Sequence, residues 1–340
     1  MQENVSFFSN KNIYVITEDN FKDVIKNRQK GYLDYIVQKV IRKRNLKHLI
    51  EDNFIFILNE SNYEELLFLL TINYNFDYVK MINDNFLSIL DNFSIEKLVE
   101  LNLSIELSQE NKKLLNQKLS ENKKEFLAAL FNLDPIINED DKENLLFVLE
   151  KLVDELTTNE KVNLVDIKKV SGGNYSKVAI IGDKVLKVGS ERMRFNIPYN
   201  EHILVPIIRK DLSIISDIPM VIEVSEKVDT NFHLTDDELY QIYKDLRING
   251  IIWTDVKNDN LGRLLKDNIV HYDNVLLDNE AKGIEGTSTK TLKKGEYVII
   301  DTDFIYDEDD ENIKWGNMKS MMFETRYINE LNNKENVHKM

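Results

Sequence analysis

Glycine is almost absent from the first half of this 340-residue chain, where Gly31 is the only one before Gly172. Glycine supplies the left-handed backbone that tight hairpins use. A long stretch without it points to helices, and the apolar spacing agrees. Residues 21–49 place Tyr32, Tyr35, Ile36, Val40 and Ile41 on one helical face. Ser61-Asn62-Tyr63-Glu64 has the pattern of a capping box opening a helix through Leu70. Ser94 begins another short helix. Residues 110–131 and 139–157 read as the clearest helices, with Asp134-Pro135 as the break between them. Acidic residues 139–143 sit where a helix dipole favours them. No fixed-period repeat is visible. Residues 1–160 are therefore expected to form an all-α helical domain, for target recognition or regulation.

The period changes near residue 164. Residues 164–170, 177–181, 185–188 and 219–224 are short and rich in Val and Ile, as strands are. Gly182-Asp183 lies between two of them as a hairpin turn. A helix is predicted over 235–248, with Thr235 and Glu238 as its capping box. A loop, a hairpin over 261–277 and a strand over 297–300 follow. Strands, then a helix, then a polar loop give an α+β domain over 165–340.

Bulk properties narrow the function. The formal net charge is −15, which argues against a general nucleic-acid binder. The one basic stretch, residues 39–47, reads as the solvated face of a helix. There are no cysteines, so disulfides, thiolate metal sites and Cys nucleophiles are excluded. The five histidines show no zinc-ligand spacing. The N-terminus lacks the basic and apolar regions of a signal peptide, and the longest apolar runs are too short for a membrane span. The expected location is the cytoplasm, or a host cytosol after delivery.

Four short segments carry chemistry. Val170 to Val178 contains the pair Gly172-Gly173, which lets backbone N–H groups come close to phosphates or simply makes a turn. Lys187 lies in the apolar run 184–188. A lysine there needs an anion or an edge facing water, and the alternation allows the edge. Asp255-Val-Lys257-Asn-Asp-Asn260 follows a predicted helix. Val298-Ile-Ile-Asp301-Thr-Asp303-Phe304 runs an apolar strand straight into acid.

The pattern Asp255-x-Lys257-x-x-Asn260 resembles the catalytic loop of the protein-kinase superfamily, His-Arg-Asp-Leu-Lys-x-x-Asn. Trp253 and Thr254 stand in place of the His-Arg pair. Glycine loop, strand lysine, a hinge-like segment at 220–225, catalytic loop and strand-Asp occur in kinase order.

The resemblance implies ATP and Mg²⁺ as cofactors and assigns roles. Gly172 and Gly173, with Ser176, would cover the phosphates, and Lys187 would contact the α- and β-phosphates. Backbone groups near Glu223 and Ser225 would hold the adenine edge. Asp255 would orient or deprotonate the acceptor hydroxyl, and Lys257 would steady the γ-phosphate. Asn260 and Asp301 would hold Mg²⁺, with Asp303 the competing register. Glu191 or Glu201 would pair with Lys187, although Pro198 shortens any helix carrying them.

The long separation of Asn260 from Asp301 implies an insertion around 264–296. The short remainder, without an Ala-Pro-Glu segment, implies a reduced C-lobe. The expected protein is thus a bilobal kinase-like domain behind a helical one, similar in economy to small bacterial effector kinases. It would phosphorylate protein Ser, Thr or Tyr. A small-molecule acceptor, nucleotidyl transfer onto protein, and a non-catalytic pseudokinase or helical scaffold are the alternatives.

Overall fold

The computed structural model describes residues 5–9, 12–29, 31–43, 46–133, 139–170, 176–189, 207–215, 218–271, 289–301, 304–311 and 313–337. These residues form a mixed α+β protein of thirteen α-helices and small antiparallel sheets. They divide into two units. The first holds residues 1–134, 146–152 and 163–167, and the second holds 135–145, 153–162 and 168–340.

The first unit is mostly helical but not all-α. Val5–Ser9 and Asn12–Ile16 pair as antiparallel strands. Both are rich in β-branched and aromatic residues, which suit a pleated surface better than a helix. The long helix expected over 21–49 is three: Phe21–Lys26, Leu33–Ile41 and His48–Asp52. Gly31, at φ +82°, interrupts the first break.

The capping box falls one residue later than expected. Asn62 accepts from the Glu65 amide at 2.9 Å, and Glu65 Oε2 accepts from the Asn62 amide at 3.0 Å. Ser61 is unavailable because its hydroxyl donates back to Leu58 O at 2.7 Å. The helix expected over 110–131 is divided at Asn122 into Gln109–Glu121 and Lys123–Phe131. The break at Asp134-Pro135 lies outside the described residues. The following helix spans Glu139–Glu160.

The second unit opens with a five-stranded antiparallel sheet. Its strands are β1 (Lys168–Val170), β2 (Ser176–Ile181), β3 (Lys184–Gly189), β4 (Ile207–Ile215) and β5 (Ile218–Glu226), in spatial order β1-β2-β3-β5-β4. Residues 164–166 form a 3₁₀ turn rather than the start of β1. The β4 strand had no sequence expectation. It pairs with β5 at the sheet edge, while β3 is internal with β2 on one side and β5 on the other.

The chain then runs through β6 (Val228–Asp229), α1 (Asp236–Ile248), β7 (Ile251–Trp253), β8 (Leu261–Leu264), β9 (Asn268–His271), β10 (Thr289–Leu292), β11 (Tyr297–Ile299), β12 (Ile305–Asp307) and α2 (Met318–Val337). Here the expected local hairpin over 261–277 is corrected. The β8 strand pairs with β6 and β11, whereas β9 pairs with β10. The pairing is non-local because Gly262 lets β8 come against Val228: a Cβ there would lie 2.1 Å from Val228 Cγ2.

Thr235 and Glu238 form the expected capping box of α1. The α1 residues Leu239, Tyr240, Tyr243 and Leu246 pack on Trp253, Leu261, Ile299 and Ile305, and α2 closes this core with Phe323 and Tyr327. Glu324 of α2 accepts from Tyr243 Oη at 2.6 Å and from Arg247 Nε at 2.9 Å. Burial first, then the Glu324 carboxylate, raises the Tyr243 hydroxyl above its usual range. Among the described residues no helix is long and apolar enough to cross a membrane.

Candidate active site

A cleft of about 530 Å³ opens between the five-stranded sheet and the segments around β6, β8 and β11. Val170, Val178, Ile180 and Val185 line it from the sheet, and Val228 and Ile300 from beyond it. Ser176, Lys187, Glu223, Ser225, Lys257, Asn260 and Asp301 also line this space. Residues far apart in sequence therefore converge on one apolar slot with a polar end, the usual form of a small-molecule site.

Lys187 projects from β3. The edge-lysine reading fails because β3 has hydrogen-bonded neighbours on both sides. The side chain is buried, with 8% of the residue exposed. Its Nζ lies 3.7 Å from Asp301 Oδ1. Glu223 is its cross-strand partner on β5 and is also buried. Ser225 and Glu226 are buried farther along β5. Glu226 accepts from Lys184 Nζ at 2.6 Å and pairs with Lys266 Nζ at 3.2 Å.

Asp255 is anchored from below. Trp253 of β7 is fully buried in the α1 core, two residues before Asp255. The Thr254 amide donates to Phe304 O at 2.9 Å and continues the pairing of β7 with β12. Asp255 Oδ2 lies 2.7 Å from Lys257 Nζ and accepts from Asn260 Nδ2 at 2.9 Å. Asp255 Oδ1 accepts from Asn317 Nδ2 at 2.8 Å. Burial pushes the carboxyl up, but hydrogen bonds from Lys257, Asn317 and Asn260 outweigh it and hold Asp255 below the usual carboxylate range.

Asn260 joins this network to Asp301. Its amide nitrogen donates to both Asp255 O and Asp255 Oδ2, at 2.9 Å each. Its carbonyl accepts from the Ile300 amide at 3.0 Å. That bond sets Asn260 against the residue just before Asp301. With its nitrogen used on Asp255, Asn260 keeps Oδ1 as a possible cation ligand.

Among the described residues, no group of three or more His, Cys, Asp or Glu side chains is placed to hold a metal. One amide oxygen and one carboxylate beside an apolar slot instead suit Mg²⁺, which keeps waters and shares its shell with substrate phosphates. Gly172, Gly173, Asp303, Glu191 and Glu201 lie outside the described residues.

Sequence reasoning missed Gly316 and Asn317, which lie against Asp255, and Ser320, which bonds to Val256 and Asn317. The available signal was an N-cap: Asn317 followed by the apolar spacing of α2. The acidic run 307–311 separates Asn317 in sequence from the other polar residues of the cleft. The chain matches no protein-family model and no curated protein.

Proposed function

We propose that the second unit is a minimal, bilobal kinase-like domain that uses Mg²⁺ and ATP to phosphorylate a protein hydroxyl. The observation that carries this reading is the convergence of Lys187, Lys257, Asn260 and Asp301 on one cleft, with Asp255 bonded to both Lys257 and Asn260. The five-stranded sheet corresponds to the smaller lobe, and the α1 core with α2 to a reduced larger one.

The apolar lining from Val170, Val178, Val185, Val228 and Ile300 suits a flat purine. Lys187, with Nζ 3.7 Å from Asp301 Oδ1, lines the cleft and would contact a bound phosphate. Asn260 and Asp301 would hold magnesium, which when bound neutralises charge on the transferring phosphate. Asp255 stays ionised and is hydrogen-bonded on both oxygens, so its main work is to orient the acceptor hydroxyl and receive its proton late. Lys257, half-exposed and beside Asp255, steadies charge on the transferred group. Trp315 and Met318 are exposed on either side of Gly316-Asn317 and offer a protein acceptor an apolar rest beside Asp255. The helical first unit would recruit the target.

Calorimetric titration tests the cofactor half of this reading. Wild type should bind ATP in the presence of Mg²⁺, and Asp301→Asn should lose most of the Mg²⁺-dependent affinity. No binding by wild type at millimolar nucleotide would end the proposal.

A further inference from the structure

We infer that Asn317 is a positioning residue for Asp255, and that Gly316 and Ser320 hold it in place. The inference rests on the kinase-like reading of the cleft and adds to it three residues, Gly316, Asn317 and Ser320, that this reading did not use.

The contacts form a closed circuit between the loop after β7 and the start of α2. The Gly316 amide donates to Thr254 O at 2.8 Å. Asn317 Nδ2 donates to Asp255 Oδ1 at 2.8 Å and to Val256 O at 3.2 Å. The Val256 amide donates to Ser320 Oγ at 2.8 Å. Ser320 in turn donates to Asn317 Oδ1 from its amide at 2.9 Å and from its hydroxyl at 3.0 Å. Ser320 is fully buried, so its hydroxyl depends on these partners. Gly316 lies so close to the loop that a Cβ would be 2.8 Å from Asp255 Cβ and 3.1 Å from Thr254 O.

This arrangement gives each atom of the Asn317 amide a separate task. Oδ1 caps α2 by accepting the Ser320 amide, an ordinary N-cap role. Nδ2 points the other way and fixes one oxygen of Asp255, while Asn260 and Lys257 fix the other. A carboxylate gripped at both oxygens has one rotamer. That orientation is what an acceptor hydroxyl must meet, and a displacement of about 1 Å at such a group costs on the order of 10²-fold in rate. The turn at 315–317 thereby supplies, from α2, a wall behind Asp255.

The two tasks can be separated. Ser caps a helix about as well as Asn does, but it is neutral, shorter and has no amide N–H to reach Asp255. In Asn317→Ser the fold and the cap should survive, with a urea midpoint near that of wild type. ATP KM should stay within about threefold while kcat falls about 10²-fold. Asn317→Ala should lose both stability and kcat. Gly316→Ala, which displaces Asp255 without touching the amide, should repeat the kcat loss.

Assays of ATP turnover, with urea unfolding of each variant, decide the matter. If Asn317→Ser keeps wild-type kcat and only Asn317→Ala is impaired, Asn317 is merely a helix cap and the inference is overturned. If wild type itself neither binds nor turns over ATP, the functional reading fails first, and that failure is visible before any substitution is made.

Discussion

Lys187 Nζ and Asp301 Oδ1 face each other at 3.7 Å across the cleft, one from the middle strand of the sheet and one from the end of a strand in the other half. The separation is longer than a hydrogen bond, so the two charges attract without being locked together. Both side chains line the cleft. The pair is therefore the point at which nucleotide, metal and the two halves of the second unit would meet.

Lys187→Met keeps the length of the side chain and removes its charge. Asp301 is one-third exposed and remains partly solvated, so losing this ion pair by itself should cost no more than about 1 kcal/mol. ATP affinity should fall by at least about tenfold, because a buried cation no longer meets the phosphates. Titration calorimetry beside urea unfolding separates the two effects.

Asp301→Asn keeps shape and hydrogen-bonding capacity but removes the hard anionic ligand that Mg²⁺ prefers. In wild type, adding Mg²⁺ should raise the thermal midpoint reached with ATP, since a ligand that binds only the native state stabilises it. In the variant that increment should vanish, and EDTA should make the two proteins alike. Thermal scans at fixed ATP, with and without the metal, read this out.

Gly262→Ala places a methyl group 2.1 Å from Val228 Cγ2 and 3.4 Å from Ile300 Cγ2. Val228 and Ile300 both line the cleft. Overpacking of this kind costs about 1–3 kcal/mol. Urea unfolding should show the loss, and nucleotide affinity should drop with it because the two cleft side chains must move. A variant as stable as wild type would mean that β8 and β6 do not pack this closely.

The first unit has its own pH signature. Arg28 donates to both oxygens of Glu65, and Glu65 also closes the capping box at Asn62. Burial pushes the Glu65 carboxyl up, but the Arg28 and Asn62 hydrogen bonds win and lower it from its ordinary 4.5. A lowered folded value means this stabilisation is complete above the unfolded value, and it disappears as pH falls through the folded one. Glu65→Gln should be less stable than wild type at pH 7 by about 1–3 kcal/mol. The gap should narrow below roughly pH 4.5. Denaturant midpoints from pH 7 to pH 3 measure it.

Some of this was legible in the residues. Thr235 with Glu238 marked the start of α1, and Asp255, Lys257 and Asn260 stood in a spacing that places three polar groups in one short loop. Other features depended on partners distant in sequence. The buried state of Lys187 could not be read from its own alternating strand. It required β5 to pair with β3 on the side opposite β2. Asn317 was hidden for a similar reason, since its neighbours are ordinary N-cap residues and its role appears only when α2 packs under the loop after β7. The strands at residues 5–16 were missed because helical spacing nearby was extended over them.

The central claim is that the cleft transfers the γ-phosphate of ATP to a protein hydroxyl. Its most direct test is incubation of the purified chain, alone and with candidate acceptor proteins, with Mg²⁺ and ATP labelled at either the γ- or the α-phosphate. The account predicts label on protein from γ-labelled ATP only, lost in both Asp255→Ala and Asp301→Ala. Label from the α-phosphate would contradict phosphoryl transfer in favour of nucleotidyl transfer. No label from either, with nucleotide bound, would contradict protein phosphorylation itself.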